Sequence, residues 1–223
     1  MNAKHRRLNL AAAFGSLMAL SMVPVGGQEP SQNFYVIGGL GPALAEDMKV
    51  REFFGSSPGA KVEFDTGVRF SIGGGYQFND WLAAEFETGL IYNSVDRVSG
   101  TSDADFSVSH VPFLANVVFQ CSHTAPFVPY AGVGAGFAAS VIDIDSFTLS
   151  GTRITGSESD IVFAYQAFIG ARYEFNDRMG VSLTYKYFGA GEPEWESSIG
   201  PSGRIKFDRI GSHALVAAFT YKF

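Results

Sequence analysis

The chain has 223 residues, a formal net charge of −6, 46% hydrophobic and 14% aromatic residues, and a single cysteine, Cys121. This length suits one all-β domain, and a lone cysteine excludes an intramolecular disulfide. Phosphate contacts need clustered Lys and Arg, which an acidic chain lacks, so we expect no nucleic-acid partner.

The first 27 residues have the build of a secretory signal peptide. Three basic residues lie among the first seven positions, and residues 8–25 form an apolar run without a charge. The small residues Gly26 and Gly27 end this run, as expected at a cleavage site. We therefore predict that residues 1–27 are removed and that residues 28–223 form the mature domain, with a net charge of about −9. The alternative is a retained inner-membrane anchor.

After the signal segment, alternation of apolar and polar residues predicts eight β-strands. The predicted strands are residues 33–44, 62–78, 81–93, 106–120, 128–144, 160–175, 179–188 and 210–223. Short connections at 79–80, 121–127 and 176–178 alternate with long polar ones at 45–61, 94–105, 145–159 and 189–209. This alternation is typical of outer-membrane barrels, which have short periplasmic turns and long outer loops. The sequence therefore predicts an eight-stranded antiparallel up-and-down transmembrane β-barrel.

Two of the short connections share a sequence. The pattern Tyr-x-Phe-Asn-Asp occurs at residues 76–80 and again at residues 173–177. Each copy ends a predicted strand with aromatic residues and continues into Asn-Asp, a pair that tolerates turn geometry. We interpret the repeat as the same hairpin chemistry used twice.

The predicted strands have one apolar, partly aromatic face and one polar face, except that the facing of the first strand is ambiguous. The apolar faces, to which Val62 and Phe64 are assigned, would meet lipid between two aromatic girdles. The polar faces would place charges of both signs in the lumen: Glu63, Asp65, Arg69, Glu85, Glu87, Arg172, Glu174, Lys186 and Lys222. Eight strands leave room only for side chains, and opposite charges offset the cost of burial. A salt-bridged plug is therefore expected, with glycines such as Gly75 and Gly134 making space for long side chains.

The last strand ends in three alternating aromatic residues, Phe219, Tyr221 and Phe223. This ending resembles the β-signal that the barrel-assembly machinery recognises. Together with the signal peptide, the opening strand at 34–39 and the Tyr-x-Phe-Asn-Asp turns, it makes the chain similar to small outer-membrane β-barrel proteins. That class includes the OmpA transmembrane domain, OmpX, Ail-type proteins and opacity proteins.

The resemblance implies an outer-membrane location and contact with outer-membrane lipid, lipopolysaccharide and the barrel-assembly machinery. It implies no catalytic residue and no cofactor, and it leaves the activity open, because the class includes adhesins, structural anchors and small channels. We expect a scaffold whose four outer loops serve structural or adhesin-like interactions with an unidentified surface ligand. Trp195 in the last long loop is a candidate contact residue, although it can equally lie at the lipid headgroups.

Three other functions remain as alternatives. A small channel would conduct ions, and a lipocalin-like binder would be soluble without detergent. A lipid A-modifying enzyme would need a serine and a histidine on one face, but in Ser109-His110 and Ser212-His213 the partners are adjacent and point to opposite faces. Four acidic residues flank the third long loop and are a candidate cation site, or else an ordinary solvated loop base: Asp143, Asp145, Glu158 and Asp160.

Overall fold

The computed structural model describes residues 33–53, 61–98, 104–121, 126–149, 152–191, 194–196, 204–207 and 210–223. The predicted signal peptide lies outside these ranges. The strands in chain order are β1 (Phe34–Ala45), β2 (Met48–Phe53), β3 (Lys61–Phe64), β4 (Gly67–Asn79), β5 (Leu82–Val98), β6 (Ala104–Gln120), β7 (Phe127–Leu149), β8 (Thr152–Glu174), β9 (Met179–Ala190), β10 (Glu194–Glu196), β11 (Arg204–Phe207) and β12 (Ile210–Lys222). Within the described ranges, no helix is long and apolar enough to cross a membrane.

Eight of these strands close into an antiparallel barrel, which confirms the predicted fold class. Each of β1, β4, β5, β6, β7, β8, β9 and β12 pairs with its neighbours in this order. The ring closes where β12 pairs with β1 from Tyr35↔Lys222 to Ala45↔Ser212. A closed ring satisfies the backbone of every spanning strand internally, which is the condition for crossing a bilayer with strands.

The two ends of the barrel differ in their connections. Short connections at residues 80–81, 121–126 and 175–178 lie at one end, which we call the turn end. Asn33 and Phe223 lie at the same end. The N–H of Gln77 donates to Asn33 O at 2.7 Å, and the N–H of Phe223 donates to Phe34 O at 3.0 Å. The opposite end carries the longer connections, and we call it the loop end. In outer-membrane barrels the longer loops face the outside.

The repeated Tyr-x-Phe-Asn-Asp sequence forms the same turn twice, which confirms its interpretation. Asn79 Oδ1 accepts hydrogen bonds from the backbone N–H groups of Trp81 and Leu82, at 3.0 and 2.9 Å. Asn176 Oδ1 accepts the corresponding pair from Arg178 and Met179, both at 2.9 Å. In each copy the Tyr and Phe rings pack edge to face, with centroids 5.2 and 5.4 Å apart.

The strand faces follow the predicted alternation in the barrel wall. On β8 the exposed side chains Ile161, Phe163 and Ile169 alternate with the buried Gln166 and Arg172. The outward side chains of the other barrel strands are likewise large, apolar and exposed. The outer surface of this barrel is therefore apolar, as contact with lipid requires. A soluble barrel would instead expose a polar outer surface.

Part of the loop end is a sheet where the sequence predicted loops. The strands β10, β11, β2 and β3 pair in this order, and β3 joins the loop end of β5. We call these four strands and the paired part of β5 the outer extension. The strands β7 and β8 also continue beyond their predicted ends, pairing as far as Leu149↔Thr152.

The predicted strand at residues 62–78 is two strands, and this corrects the assignment of its first residues. β3 and β4 both pair with β5, but the ladder is interrupted between them. Phe64 pairs with Val95 and Val68 with Tyr92, so four steps along β3 and β4 oppose three on β5 and the alternation changes phase. As a result Val62 is fully buried and Phe64 packs against the same apolar core, whereas both were predicted to face lipid. A bulge re-aims the side chains after it, which period-two counting along the sequence does not register.

Candidate functional site

The centre of the lumen holds a buried cluster of charged and amide side chains, the Glu87 cluster. Arg69 Nη2 donates to Glu87 Oε1 at 2.9 Å, and Lys186 Nζ donates to Glu87 Oε2 at 2.6 Å. The Gln166 amide joins them: its Nε2 donates to Glu87 Oε2 at 3.1 Å and to Asn116 Oδ1 at 2.8 Å, and its Oε1 accepts from Arg69 at 2.6 Å. The side chains of Arg69 and Glu87 are only 1% and 5% exposed.

The Glu87 cluster fits because glycines line the lumen around it. A Cβ atom at Gly134 would overlap the Asn116 side chain, and one at Gly132 would overlap the Phe168 ring. Phe168 lies in turn beneath Lys186, whose Nζ is 5.4 Å from the ring centroid. The space that the glycines leave is therefore filled by the side chains of neighbouring strands, as expected of inward glycines in a narrow barrel.

The turn-end half of the lumen contains polar contacts beside a smaller cluster of buried apolar and aromatic side chains. Tyr35 Oη donates to Glu85 Oε1 at 2.7 Å. The hydroxyl groups of Tyr130 and Thr184 lie 2.5 Å apart. A Cβ atom at Gly75 would overlap the Tyr35 ring, so this glycine lets the phenol reach across the lumen. The facing of the first strand, which alternation did not decide, is thereby fixed with Tyr35 inside.

A second ion-pair group closes the mouth at the turn end. Glu174 Oε1 accepts from Lys222 Nζ at 2.7 Å and from Arg172 Nε at 3.1 Å. Arg172 also donates from Nη2 to Gln120 Oε1 at 2.9 Å, and its guanidinium lies 5.9 Å from the centroid of the Tyr130 ring. Glu174 and Lys222 are half-buried here, so solvent screens this group more than the Glu87 cluster.

A small cavity lies between the two ion-pair groups. It measures about 20 Å³ and is lined by Glu85, Glu87 and Arg172, together with the hydroxyl groups of Ser182 and Thr220. This is room for about one water molecule. In the described part of the chain, the Ser182 and Thr220 hydroxyl groups have no hydrogen-bond partner.

The loop-end half of the lumen is mainly apolar. Ile91, Leu114 and Phe188 are fully buried there in one continuous cluster that extends into the outer extension through Met48 and Val62. The buried polar groups in this half have partners: His110 Nδ1 lies 2.9 Å from Ser140 Oγ, and Asn93 Nδ2 donates to Ala43 O at 3.1 Å. This apolar core was not predicted from the sequence.

Seven of the nine predicted lumenal charges lie in the lumen, and two do not. Glu63 accepts from Lys61 Nζ at 3.2 Å in the outer extension, with its side chain 41% exposed, and Asp65 is exposed. The phase change between β3 and β4 leaves both residues outside the lumen. Lys61 also pairs with Asp47 at 2.8 Å, and these two carboxylates raise the pKa of Lys61, Asp47 contributing more.

Sequence reasoning did not single out Gln166 and Asn116, which complete the Glu87 cluster. Gln166 shares its strand face with Arg172 and Glu174, and this parity was the available signal. A lumenal role was harder to predict for Asn116, because its neighbours Leu114 and Val118 on the same face are apolar and buried.

The serine–histidine pairs lie as predicted, with their partners on opposite faces. Ser212 is buried in the lumen, whereas the His213 side chain is 37% exposed on the outer surface. The acidic residues that flank the third long loop have different surroundings. Asp143 and Asp145 are exposed, whereas Asp160 accepts a hydrogen bond from the N–H of Ile161 at 2.8 Å. The side chain of Glu158 lies outside the described part. Among the described residues, no three His, Cys, Asp or Glu side chains can hold a metal ion.

The remaining two predicted sites lie at opposite ends of the barrel. Trp195 is the central residue of β10, where it pairs with Ile205, and its side chain is outside the described part. Phe219 is exposed on the outer surface at the turn end of β12, and the rings of Tyr221 and Phe223 pack edge to face with centroids 5.4 Å apart.

The geometry described above agrees with a family of known proteins. Residues 9–223 match the family described as "Outer membrane protein beta-barrel domain". The chain belongs to this family. It is therefore an outer-membrane protein, and the resemblance to small outer-membrane barrels inferred from its turns and terminal strand is confirmed.

Individual members of this group are only distantly similar to the chain. An outer membrane protein of Gluconacetobacter diazotrophicus is 24% identical over 170 residues, which cover 67% of this chain and 44% of that protein. The chain thus spans less than half the length of this curated relative. Neisserial surface protein A is 19% identical with a TM-score of 0.54 and covers 88% of this chain and 100% of its own. OprG from Pseudomonas aeruginosa is 14% identical with a TM-score of 0.56 and covers 86% and 97%. Such low identities show the fold alone.

Proposed function

We propose that this protein is a non-enzymatic outer-membrane scaffold with a closed lumen, which presents its loop end for structural or adhesin-like interactions. The observation that carries the proposal is the filling of the lumen. The Glu87 cluster occupies the centre, and the apolar core around Leu114 and Phe188 occupies the loop-end half. The cavity between the Glu87 cluster and the turn-end mouth holds about one water molecule.

Closure rests on two kinds of packing that are costly to disrupt. Removing one partner from a buried ion pair leaves an uncompensated charge. Opening the apolar core would expose it to water, at about 25 cal/mol for each Å² of apolar surface. Because both lie on the axis, a solute would have to displace both in order to pass.

The loop end is the part of the barrel suited to binding. Its outer extension is a sheet anchored on β5 and packed into the lumenal core through Val62, so it is held by the barrel wall. Binding residues commonly lie on such loops, positioned by a rigid scaffold. The surface ligand is unidentified, and Trp195 in β10 remains a candidate contact residue for it.

The protein is further proposed to contact lipopolysaccharide and the barrel-assembly machinery. For the assembly step, Phe219, Tyr221 and Phe223 act as the recognition signal. In the folded barrel the strand that carries them forms the closing seam with β1. A segment recognised before closure would therefore be the one that closes the barrel.

A small channel is the second candidate, and one observation favours it. The turn-end half of the lumen contains polar contacts and the cavity beside Ser182 and Thr220, so water could reach the Glu87 cluster from that end. A channel would then need only the cluster and the apolar core to rearrange.

Conductance in planar bilayers tests the proposal directly. The purified protein, shown to be folded by its faster migration on an unboiled gel, should give no discrete conductance steps. The double variant Glu87→Ala, Leu114→Gly is the positive comparison, because it removes a buried side chain from each of the two regions that fill the lumen. Steps from the wild-type protein would overturn closure and favour the channel. Hydrolysis of lipid A by the pure protein would overturn the non-enzymatic assignment.

A further inference from the structure

Three polar side chains form a hydrogen-bonded chain on the outer surface of the barrel, away from the lumen. His213 Nδ1 lies 2.7 Å from Tyr185 Oη, and His213 Nε2 lies 3.0 Å from Glu46 Oε1. We call these residues the surface triad. Tyr185 is on β9, His213 is on β12, and Glu46 directly follows β1, so three adjacent wall segments contribute one residue each.

The surface triad is held in place by the fold. The backbone N–H of Glu46 donates to Gly211 O at 2.8 Å, and a Cβ atom at Gly211 would overlap the Glu46 carboxylate. The rings of Tyr185 and Tyr187 both lie near the imidazole, with centroids 6.0 and 5.1 Å from that of His213. The absent side chain at Gly211 therefore lets the carboxylate lie against the sheet and reach the histidine.

The triad lies at the outer rim of the lipid-facing band. On β1 the exposed apolar side chains run from Phe34 to Leu44, and Leu44 pairs with His213. Ten residues of a tilted strand rise about 25 Å along the barrel axis, which is the height of the apolar band in outer-membrane barrels. The triad is thus at the level where acyl chains join the polar part of the lipid in the outer leaflet.

An apolar groove leads from the triad towards the turn end on the same strands. Its floor contains small residues, Gly38 and Ala217, and its walls include Leu40, Leu183 and Phe219. The outward pairs along β9 and β12 are Leu183↔Ala217 in the groove, then Tyr185↔Leu215, then Tyr187↔His213. Successive pairs are about 7 Å apart, so the Tyr185 side chain begins directly where the groove ends.

We propose that the groove and the surface triad together bind one outer-leaflet saccharolipid of the lipid A type. An acyl chain lies in the groove, and the hydroxyl, amide or phosphate groups near its attachment contact the triad. A polar chain of this kind on a surface bathed by lipid is costly unless it meets polar groups. A lipid whose hydrogen-bonding groups adjoin its acyl chains supplies them at this depth.

The hydrogen-bonding capacity of the triad fits this class of ligand. With a neutral imidazole, the Tyr185 hydroxyl donates to Nδ1 and Nε2 donates to Glu46, which leaves oxygen lone pairs to accept from a hydroxyl or an amide N–H. With a protonated imidazole both ring nitrogens donate, and the Tyr185 proton is free to bond a phosphate oxygen. Phosphatidylcholine has ester and phosphate oxygens but no O–H or N–H group, so it cannot donate to the triad.

The test measures which lipid stays with the protein. The barrel is reconstituted in phosphatidylcholine nanodiscs that contain equal amounts of lipid A and phosphatidylglycerol, and the lipids retained after extraction into detergent are counted by native mass spectrometry. The wild-type protein should retain lipid A about tenfold more than phosphatidylglycerol, a difference of about 1.4 kcal/mol. Tyr185→Phe and His213→Gln should each reduce this preference several-fold.

A pair of glycine variants distinguishes the effect of filling the groove from the general effect of adding a large side chain to the barrel wall. A Cβ atom at Gly38 has nothing within 4 Å, so Gly38→Leu fills the groove without a clash. Gly74 is exposed on the neighbouring strand outside the groove, where a Cβ atom would have its nearest contact at 3.7 Å, so Gly74→Leu is the matched control.

Gly38→Leu should lose the preference for lipid A and Gly74→Leu should keep it, both with a normal gel shift. The proposal is overturned if the wild-type protein retains the two lipids equally or if the two glycine variants behave alike. It is also overturned if the triad variants retain lipid A as well as the wild type does.

Discussion

The two halves of the barrel interior differ in their balance of polar and apolar side chains although the same strands build both. Towards the loop end, Ile91, Leu114 and Phe188 form an apolar core like that of a soluble protein. Towards the turn end, Tyr35 donates to Glu85, and a separate ion-pair group around Glu174 lies at the mouth. Lipid constrains only the outward face of each strand, so the inward face is free to change character with depth.

The Glu87 cluster lies where the two halves meet, and this position decides its energetics. Its carboxylate contacts Arg69 and Lys186 while Phe188 and Phe168 cover the two cations. Charges buried this far from water attract each other strongly, but a buried charge that loses its partner is strongly destabilising. The half-buried Glu174 group at the mouth is screened by solvent and should matter less.

The largest expected effect comes from breaking the Glu87 cluster. Glu87→Ala leaves the Arg69 and Lys186 charges buried without their carboxylate and should lower the free energy of unfolding by about 3–5 kcal/mol. Urea unfolding in lipid vesicles, followed by the gel shift, measures this. Glu63→Ala is the control, because its surface ion pair is worth at most about 1 kcal/mol. Equal losses in both variants would show that the central cluster is not specially desolvated.

The apolar half is tested by removing volume from its core. Leu114→Ala should lower the free energy of unfolding by about 2–5 kcal/mol, since Leu114 is fully buried and the cavity cannot fill without moving the strands. Leu114→Met keeps the volume and should cost less than about 1.5 kcal/mol. If both substitutions are equally mild in the same unfolding assay, the loop-end core is loosely packed.

Two adjacent glycines on β4 compare the inside of the wall with the outside. Gly75→Ala places a methyl group against the Tyr35 ring and should cost about 1–3 kcal/mol by displacing its bond to Glu85. Gly74→Ala faces lipid with room for a methyl group and should change stability by less than about 0.5 kcal/mol. Similar unfolding curves for the two variants would contradict the assigned facing of this strand.

The smallest expected effects lie outside the interior, in the repeated turns. Asn79→Ala and Asn176→Ala each remove the acceptor of two backbone N–H groups, and each should cost about 1 kcal/mol because water replaces part of the loss. Asp80→Ala and Asp177→Ala, one residue further on, should stay within about 0.5 kcal/mol. A larger effect from the aspartates would mean that the Asn side chains do not define these turns.

The sequence predicted those features that depend on local alternation. The faces of β8 and the Asn-capped turns follow from residues two or three positions apart, and the structure confirms both. Prediction failed at the boundary between β3 and β4, where one extra residue opposite β5 changes the alternation and leaves Glu63 and Asp65 outside the lumen. It also left the facing of Tyr35 open, because the residues that follow it on β1 are mostly small and of similar polarity.

By itself the sequence determined the class of this protein, since lipid outside a closed sheet imposes a period-two pattern that is visible in one dimension. It also determined which charged residues were available for the lumen. Only the tertiary structure decided that Gln166 and Asn116 join Glu87, that the loop-end half is apolar, and that Glu46, His213 and Tyr185 meet on the outer wall. Such contacts join strands far apart in the chain, and their register is set by the closure of the whole ring.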